Sequence, residues 1–200
     1  MAKIKPFKAV RPTRDKSHLV ASRSYVTYSN ASLRDKLDTN PYTFLHIINP
    51  DYNSQKKKYG TEKFKLIKKK FSQFLKKGIL FQDKKDSFYI YQQIKSDREF
   101  TGIIAAAAID DYLNGHIKIH EETITKREKI FKDYLNITGF NAEPVLLSYK
   151  DNLLINSITN KYCKKRAEYE FTTTNKVYHK LWRIENNSDI KNIIEEFKKI

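Results

Sequence analysis

Two hundred residues, 40% apolar and 13% aromatic, can bury a real core, which excludes a disordered chain and points to one domain over 1–200. The lone Cys163 excludes an internal disulfide and a zinc site of several thiolates, and no apolar run approaches the ~20 residues of a membrane span. The formal charge of +16 raises a nucleic-acid partner, but the basic residues are mostly lysines spread along the chain, so solvated lysines are the favoured reading and nucleic acid the lesser one.

In chain order, "MAKIKPFKAV" lacks the apolar core of a signal peptide, so the expected location is cytoplasmic. "IKPFKAVRPT" reads as an extended lead-in punctuated by proline. "SNASLRDKLDTNP" predicts a short helix that stops before Pro41. "YTFLHIINP" suits either a buried strand or a helical turn, and its His46 reads as a core histidine. Over 61–77 the apolar positions Phe64, Ile67, Phe71, Phe74 and Leu75 form one helical stripe, with lysines on the other face. Thr61 is the expected N-cap and Gly78 the residue past the end.

"ILFQD", "SFYIYQQI" and "EFTGIIAAAAI" read as successive strands of a meander, and the alanines 105–108 as the place where another element packs closely. An Asn114-Gly115 turn follows. "PVLLSY" predicts another strand, and "KDNLLINSITNKYC" a helix. "AEYEFTTTNKVYHKLWRI" predicts a hairpin turning at Thr174-Asn175, and "SDIKNIIEEFKKI" a closing helix capped by Ser188 or Asp189. Interspersed helices and closely spaced strands predict an α+β fold, with a mixed, largely antiparallel sheet and flanking helices.

The stretch "IKIHEETITKRE" (117–128) concentrates chemistry behind the nearly uncharged "GIIAAAAI". As a strand, "IKIH" would turn Lys118 and His120 to one face. Thr125 and Glu128 have capping-box spacing, so a helix should start at Lys126, turn Ile130, Phe131, Tyr134 and Leu135 inward, and end before Gly139. Lys126 and Arg127 sit in the first turn, where acidic residues usually gather. With Lys118 and His120 they suit a bound phosphate, beside which Glu121 could act as a general base or hold magnesium. The stretch has no His-Glu-x-x-His spacing and so no metal site of that kind.

The motifs "IKPFKAVRPT", "NPYTFLHIINP", "IKIHEET", "GFNAEPVLLSY" and "HKLWRI", in this order, resemble the DUF1015 family across essentially the whole chain, close to its Bacteroidetes-type members. The resemblance implies a protein about twice as long, with an Asp-Gly-His-His-Arg motif that would begin where this sequence stops. The chain therefore reads as an N-terminal half whose partners are the missing C-terminal half and a small-molecule substrate. That motif is shared with the ParB/sulfiredoxin-like superfamily, which implies kinase chemistry on free serine or a similar hydroxyl compound, with a nucleotide or pyrophosphate as donor and Mg2+; the alternative expectations are a nucleic-acid- or nucleotide-binding regulatory module and a non-catalytic structural half. Carried over by position, the family segment falls on Lys118, His120, Glu121 and Thr123, with His120 and Glu121 as the catalytic pair and Lys118, Thr123, Lys126 and Arg127 around the anion. The family's Asp-Arg pair has no positional match in "REKIF", and "ASRSYVTYS" stands where relatives have a Pro-Tyr-Asp segment.

Overall fold

The computed structural model describes residues 2–24, 27–118 and 125–200, the side chain of Lys126 excepted. Two compact units emerge. The first comprises 1–11, 82–121 and 144–200, and the second 12–81 and 122–143.

The first unit is built on a four-stranded antiparallel sheet, which bears out the α+β expectation. Strands β4 (Phe88–Lys95), β5 (Arg98–Ile104), β7 (Tyr169–Thr172) and β8 (Tyr178–Ile184) lie in the order β5-β4-β8-β7. Tyr89 pairs with Arg183, Tyr91 with Leu181 and Gln93 with His179. Side chains alternate across a strand, so this register gives the sheet two different faces. Phe88, Ile90, Trp182 and Ile184 share one face and form the core with Ile155 and Ile158 of α7 (Leu153–Cys163) and Ile193 of α8 (Asn187–Phe197). The indole Nε1 of Trp182 donates to the Lys165 carbonyl at 2.9 Å, so its one polar atom stays satisfied while the ring is buried. Tyr89, Tyr91, Arg183, Leu181, His179, Tyr169 and Phe171 share the opposite face.

Strand β1 (Ile4–Lys5) pairs with β6 (Ala106–Ala107), so the element that approaches the alanine run is a backbone ladder. After β6 the chain makes α5 (Ile109–Leu113), so Ile109, expected to end the strand, instead starts a helix, and Gly115 turns it with φ +70°. Ile117 and Lys118 follow as irregular chain, so the described half of "IKIH" is not a strand. The Ile117 N–H is spent on the Asp111 carbonyl at 2.9 Å, closing α5 instead of entering a ladder.

"PVLLSY" is also not a strand. Residues 141–152 are irregular, and 141–151 are exposed, with Leu146 at 95%. A strand needs a ladder partner for its alternating pattern to matter, and this segment has no ladder among the described residues. The closing helix is capped by Asn186, whose side chain accepts from the Asp189 N–H at 3.0 Å, rather than by Ser188 or Asp189. Asp189 lies inside the first turn and takes Tyr162 Oη at 2.9 Å and Lys161 Nζ.

The second unit is helical. Helices α1 (Ser17–Val20), α2 (Asn30–Thr39), α3 (Leu45–Ile48), α4 (Gly60–Lys76) and α6 (Thr125–Thr138) belong to it. Val20, Ile47, Ile67, Phe74, Ile79 and Leu80 form its core. "YTFLHIINP" resolves as a helical turn, and His46 is a satisfied core residue: its Nε2 meets the Asn40 carbonyl at 3.1 Å and its ring edges onto Tyr52. Thr61 lies within α4 rather than capping it, because Tyr59 takes the cap position, while Gly78 adopts φ +64° past the end as its position required.

Helix α6 begins at Thr125, one residue before the expected start, and Gly139 ends it with φ +76°. Its expected inner face is overturned in three of four positions. Ile130, Phe131 and Leu135 are exposed, and Tyr134 alone of the four packs inward, edge-on to Phe64. Phe140, past the helix end, stacks on Phe71 and so takes up the contact surface of α4 that a longer apolar stripe on α6 would have needed.

Candidate functional site

The polar face of the four-stranded sheet holds the densest charge chemistry among the described residues. Asp83 lies just after β3 (Leu80–Gln82), and its side chain is 1% exposed. Arg11 Nε donates to both carboxylate oxygens, at 3.0 and 2.8 Å. Arg183 Nη1 donates at 2.9 Å and Tyr89 Oη at 2.7 Å. Arg11 reaches on to Tyr169 Oη at 2.7 Å and Glu168 at 3.4 Å, and Arg183 Nη2 to Glu185 at 2.8 Å.

A buried carboxylate between two guanidiniums persists only when its hydrogen bonds replace water. Burial disfavours the charge on Asp83, but the hydrogen bonds from Arg11 and Tyr89 and the two nearby cations outweigh it and hold the carboxyl below its ordinary range. Burial, then the Asp83 hydrogen bond, pushes the Tyr89 phenol up to about 12. Further along the same face Tyr91 Oη and His179 Nδ1 are 2.7 Å apart, and burial raises the phenol while lowering the imidazole. Because the Asp83 oxygens are fully engaged, this network is a framework, and ligand chemistry has to come from open groups beside it.

Beside it a cleft of about 560 Å³ is lined by Lys8, Lys84, Lys85 and Asp86, together with Glu185, Asn186 and Asn187. Local hydrogen bonds explain why they meet. Phe7 and Ser87 exchange two backbone bonds of 3.1 Å, and the Asp83 N–H donates to the Ala9 carbonyl at 2.9 Å. These lace residues 7–9 to the turn 83–87 and bring Lys8 beside Lys84 and Lys85. The end of β8 delivers Glu185, whose carboxylate ties the cleft to Arg183. Three ammonium groups and the amides at the start of α8 favour an anion, while Asp86 and Glu185 offer the hard oxygen ligands that magnesium prefers. No group of three or more His, Cys, Asp or Glu side chains suited to a metal occurs among the described residues.

Of the site residues expected from sequence, His120, Glu121 and Thr123 lie outside the described residues, as does the side chain of Lys126. Lys118 is exposed and belongs to the first unit; Arg127 is exposed in the first turn of α6 and belongs to the second. The sequence reading passed over Arg11, Asp83 and Arg183. Their signal was a charged residue in apolar surroundings, as in "ILFQD" and "KLWRI".

The family model described as "Protein of unknown function (DUF1015)" matches residues 4–200. No curated protein and no solved structure matches the chain.

Proposed function

The chain belongs to the DUF1015 family, and on that premise we propose that it forms part of a phosphotransferase acting on the hydroxyl of a small molecule, free serine being the specific acceptor. The observation that carries this reading is the cleft in which Lys8, Lys84 and Lys85 gather beside Asp86 and Glu185. Phosphoryl transfer asks a protein mainly for positioning and for cations around the phosphate oxygens. In this reading the three lysines hold the phosphates of a nucleotide or pyrophosphate donor. A magnesium ion, held by Asp86 or Glu185, would neutralise phosphate charge. Glu121, with Lys118 and His120 beside it in sequence, takes the proton from the acceptor hydroxyl. The hydroxyl oxygen forms the new bond to phosphorus, and the bond from phosphorus to the bridging oxygen of the donor breaks, leaving the shortened donor as the other product.

The test incubates serine and magnesium with ATP, ADP or pyrophosphate, using this chain alone and this chain joined to the C-terminal half that the resemblance implies. Phosphoserine is read by phosphorus NMR. Phosphoserine formation that falls at least tenfold in a Lys84→Ala, Lys85→Ala double variant supports the reading. No phosphoserine with any donor sinks the substrate, and full activity in the double variant sinks the cleft.

A further inference from the structure

The positive charge is unevenly placed. Ten lysines fall between residues 56 and 77, where Glu62 is the one acidic residue. Helix α4 explains how they are displayed. Ile67 and Phe74 are buried in the helical unit's core, and Phe64, Phe71 and Leu75 pack against it. At 3.6 residues per turn the opposite side carries Lys65, Lys69, Ser72 and Lys76, with Lys68 at its edge. All four of these lysines are exposed. Lys65 alone has an acidic partner among the described residues, Glu62 at 3.1 Å, and that pair is itself solvent-exposed. At 1.5 Å rise per residue, Lys65 and Lys69 stand about 6 Å apart along the axis and Lys76 about 10 Å further. The first of these spacings is close to the distance between successive phosphates on an extended strand.

The segment before the helix adds a second feature. Asp51 is buried, and its carboxylate accepts the Lys58 N–H at 2.6 Å while its carbonyl accepts Lys57 Nζ at 2.9 Å. This pins the loop that carries Lys56 and Lys58. Next to them Tyr59, in the cap position of α4, is 80% exposed. A tyrosine left in water at the end of a lysine row gives up apolar burial, and it offers a flat ring on which a base can stack.

We propose that the outer face of α4, with Lys56, Lys58 and Tyr59, is a docking surface for single-stranded nucleic acid. The lysines neutralise successive phosphates and Tyr59 stacks on a base. A bilayer is the poorer match, because a membrane-surface helix must present its apolar side to lipid, and the apolar side of α4 is buried in its own unit.

The experiment measures fluorescence anisotropy of a labelled single strand of about 12 nucleotides, a length within ordinary single-strand site sizes. Five phosphate contacts, from Lys56, Lys58, Lys65, Lys69 and Lys76, predict a log–log salt slope of about −3.5, a loss of about a hundredfold between roughly 50 and 200 mM salt. Lys65→Gln, Lys69→Gln and Lys76→Gln together should reduce the slope to about −1.4 and weaken low-salt binding by at least about tenfold. Tyr59→Ala should weaken it about thirtyfold, the middle of the range for losing one stacked base. Lys150→Gln, Lys164→Gln and Lys191→Gln remove the same charge elsewhere and should change binding less than about threefold, the screened effect of net charge alone. All variants are exposed-site changes checked by melting. The proposal is overturned if the α4 and control triples weaken binding equally, if Tyr59→Ala has no effect, or if vesicles of anionic lipid are bound more tightly than the strand and compete it away.

Discussion

Replacing Asp83 by Asn removes one negative charge from between two arginines while keeping size and one acceptor oxygen. In the native sheet the carboxylate takes four hydrogen bonds, two from Arg11 and one each from Arg183 and Tyr89. The side chains of Arg11 and Arg183 are only 11% and 22% exposed, so solvent screens little of what is lost. Removing one partner of a buried pair costs about 3–5 kcal/mol. Here Arg11 keeps Tyr169 and Glu168, and Arg183 keeps Glu185, so the lower end, about 3 kcal/mol, is expected. At about 2–4 °C per kcal/mol for a chain of this size, its melting midpoint should fall by about 6–12 °C.

The assay is urea unfolding followed by the fluorescence of Trp182, the single tryptophan, which sits buried on the other face of the same sheet. The sign with pH follows from the depressed carboxyl. Its stabilisation is fully present above the unfolded value of about 4, and is lost as pH falls through the lower folded value. The gap between wild type and Asp83→Asn should therefore be constant from about pH 7 to 5 and close progressively below about pH 4. A gap under about 1 kcal/mol at neutral pH, or one that persists undiminished in acid, would refute the claim that this ionised carboxylate holds the sheet face together.

Asn152→Ala should cost about 1–2 kcal/mol in urea unfolding, because this one side chain caps the Leu154 and Ile155 N–H groups and also holds Glu196 at 2.8 Å. Ile90→Ala should cost about 2–5 kcal/mol by the same assay, since Ile90 is fully buried at the centre of the apolar face. Cys163 should react with iodoacetamide more slowly than a free thiol near neutral pH and gain rate only at higher pH, because burial, with Glu99 nearby, raises its pKa. Glu121→Gln should lower serine phosphorylation by about a hundredfold if Glu121 is the general base; full activity would remove it from that role.

The local pattern of this chain was enough for most of its elements. The five-residue apolar stripe on α4, the alternation along "SFYIYQQI" and the glycines at 78, 115 and 139 each state a local backbone requirement, and each is met. Caps were legible to within a residue or two, since several polar residues near a helix start compete for one position and loop geometry chooses among them, as it chose Asn186. Resemblance in the order of motifs was enough for the family.

Burial and long-range pairing were not local properties. "PVLLSY" has a strand's composition and no ladder, and α6 has an apolar stripe that α4 covers only in part. The cleft lysines and the Asp83 network join residues 7–11, 83–89, 168–169 and 183–187, separations that no periodicity encodes. Only the pairing of β4 with β8, and the lacing of residues 7–9 to the 83–87 turn, set two arginines from opposite ends of the sequence against one carboxylate. Sequence placed the charges along the chain; whether each would be solvated, paired or buried was decided by which strand lay beside it, because the cost of a charge depends on its surroundings in space rather than on its neighbours in sequence.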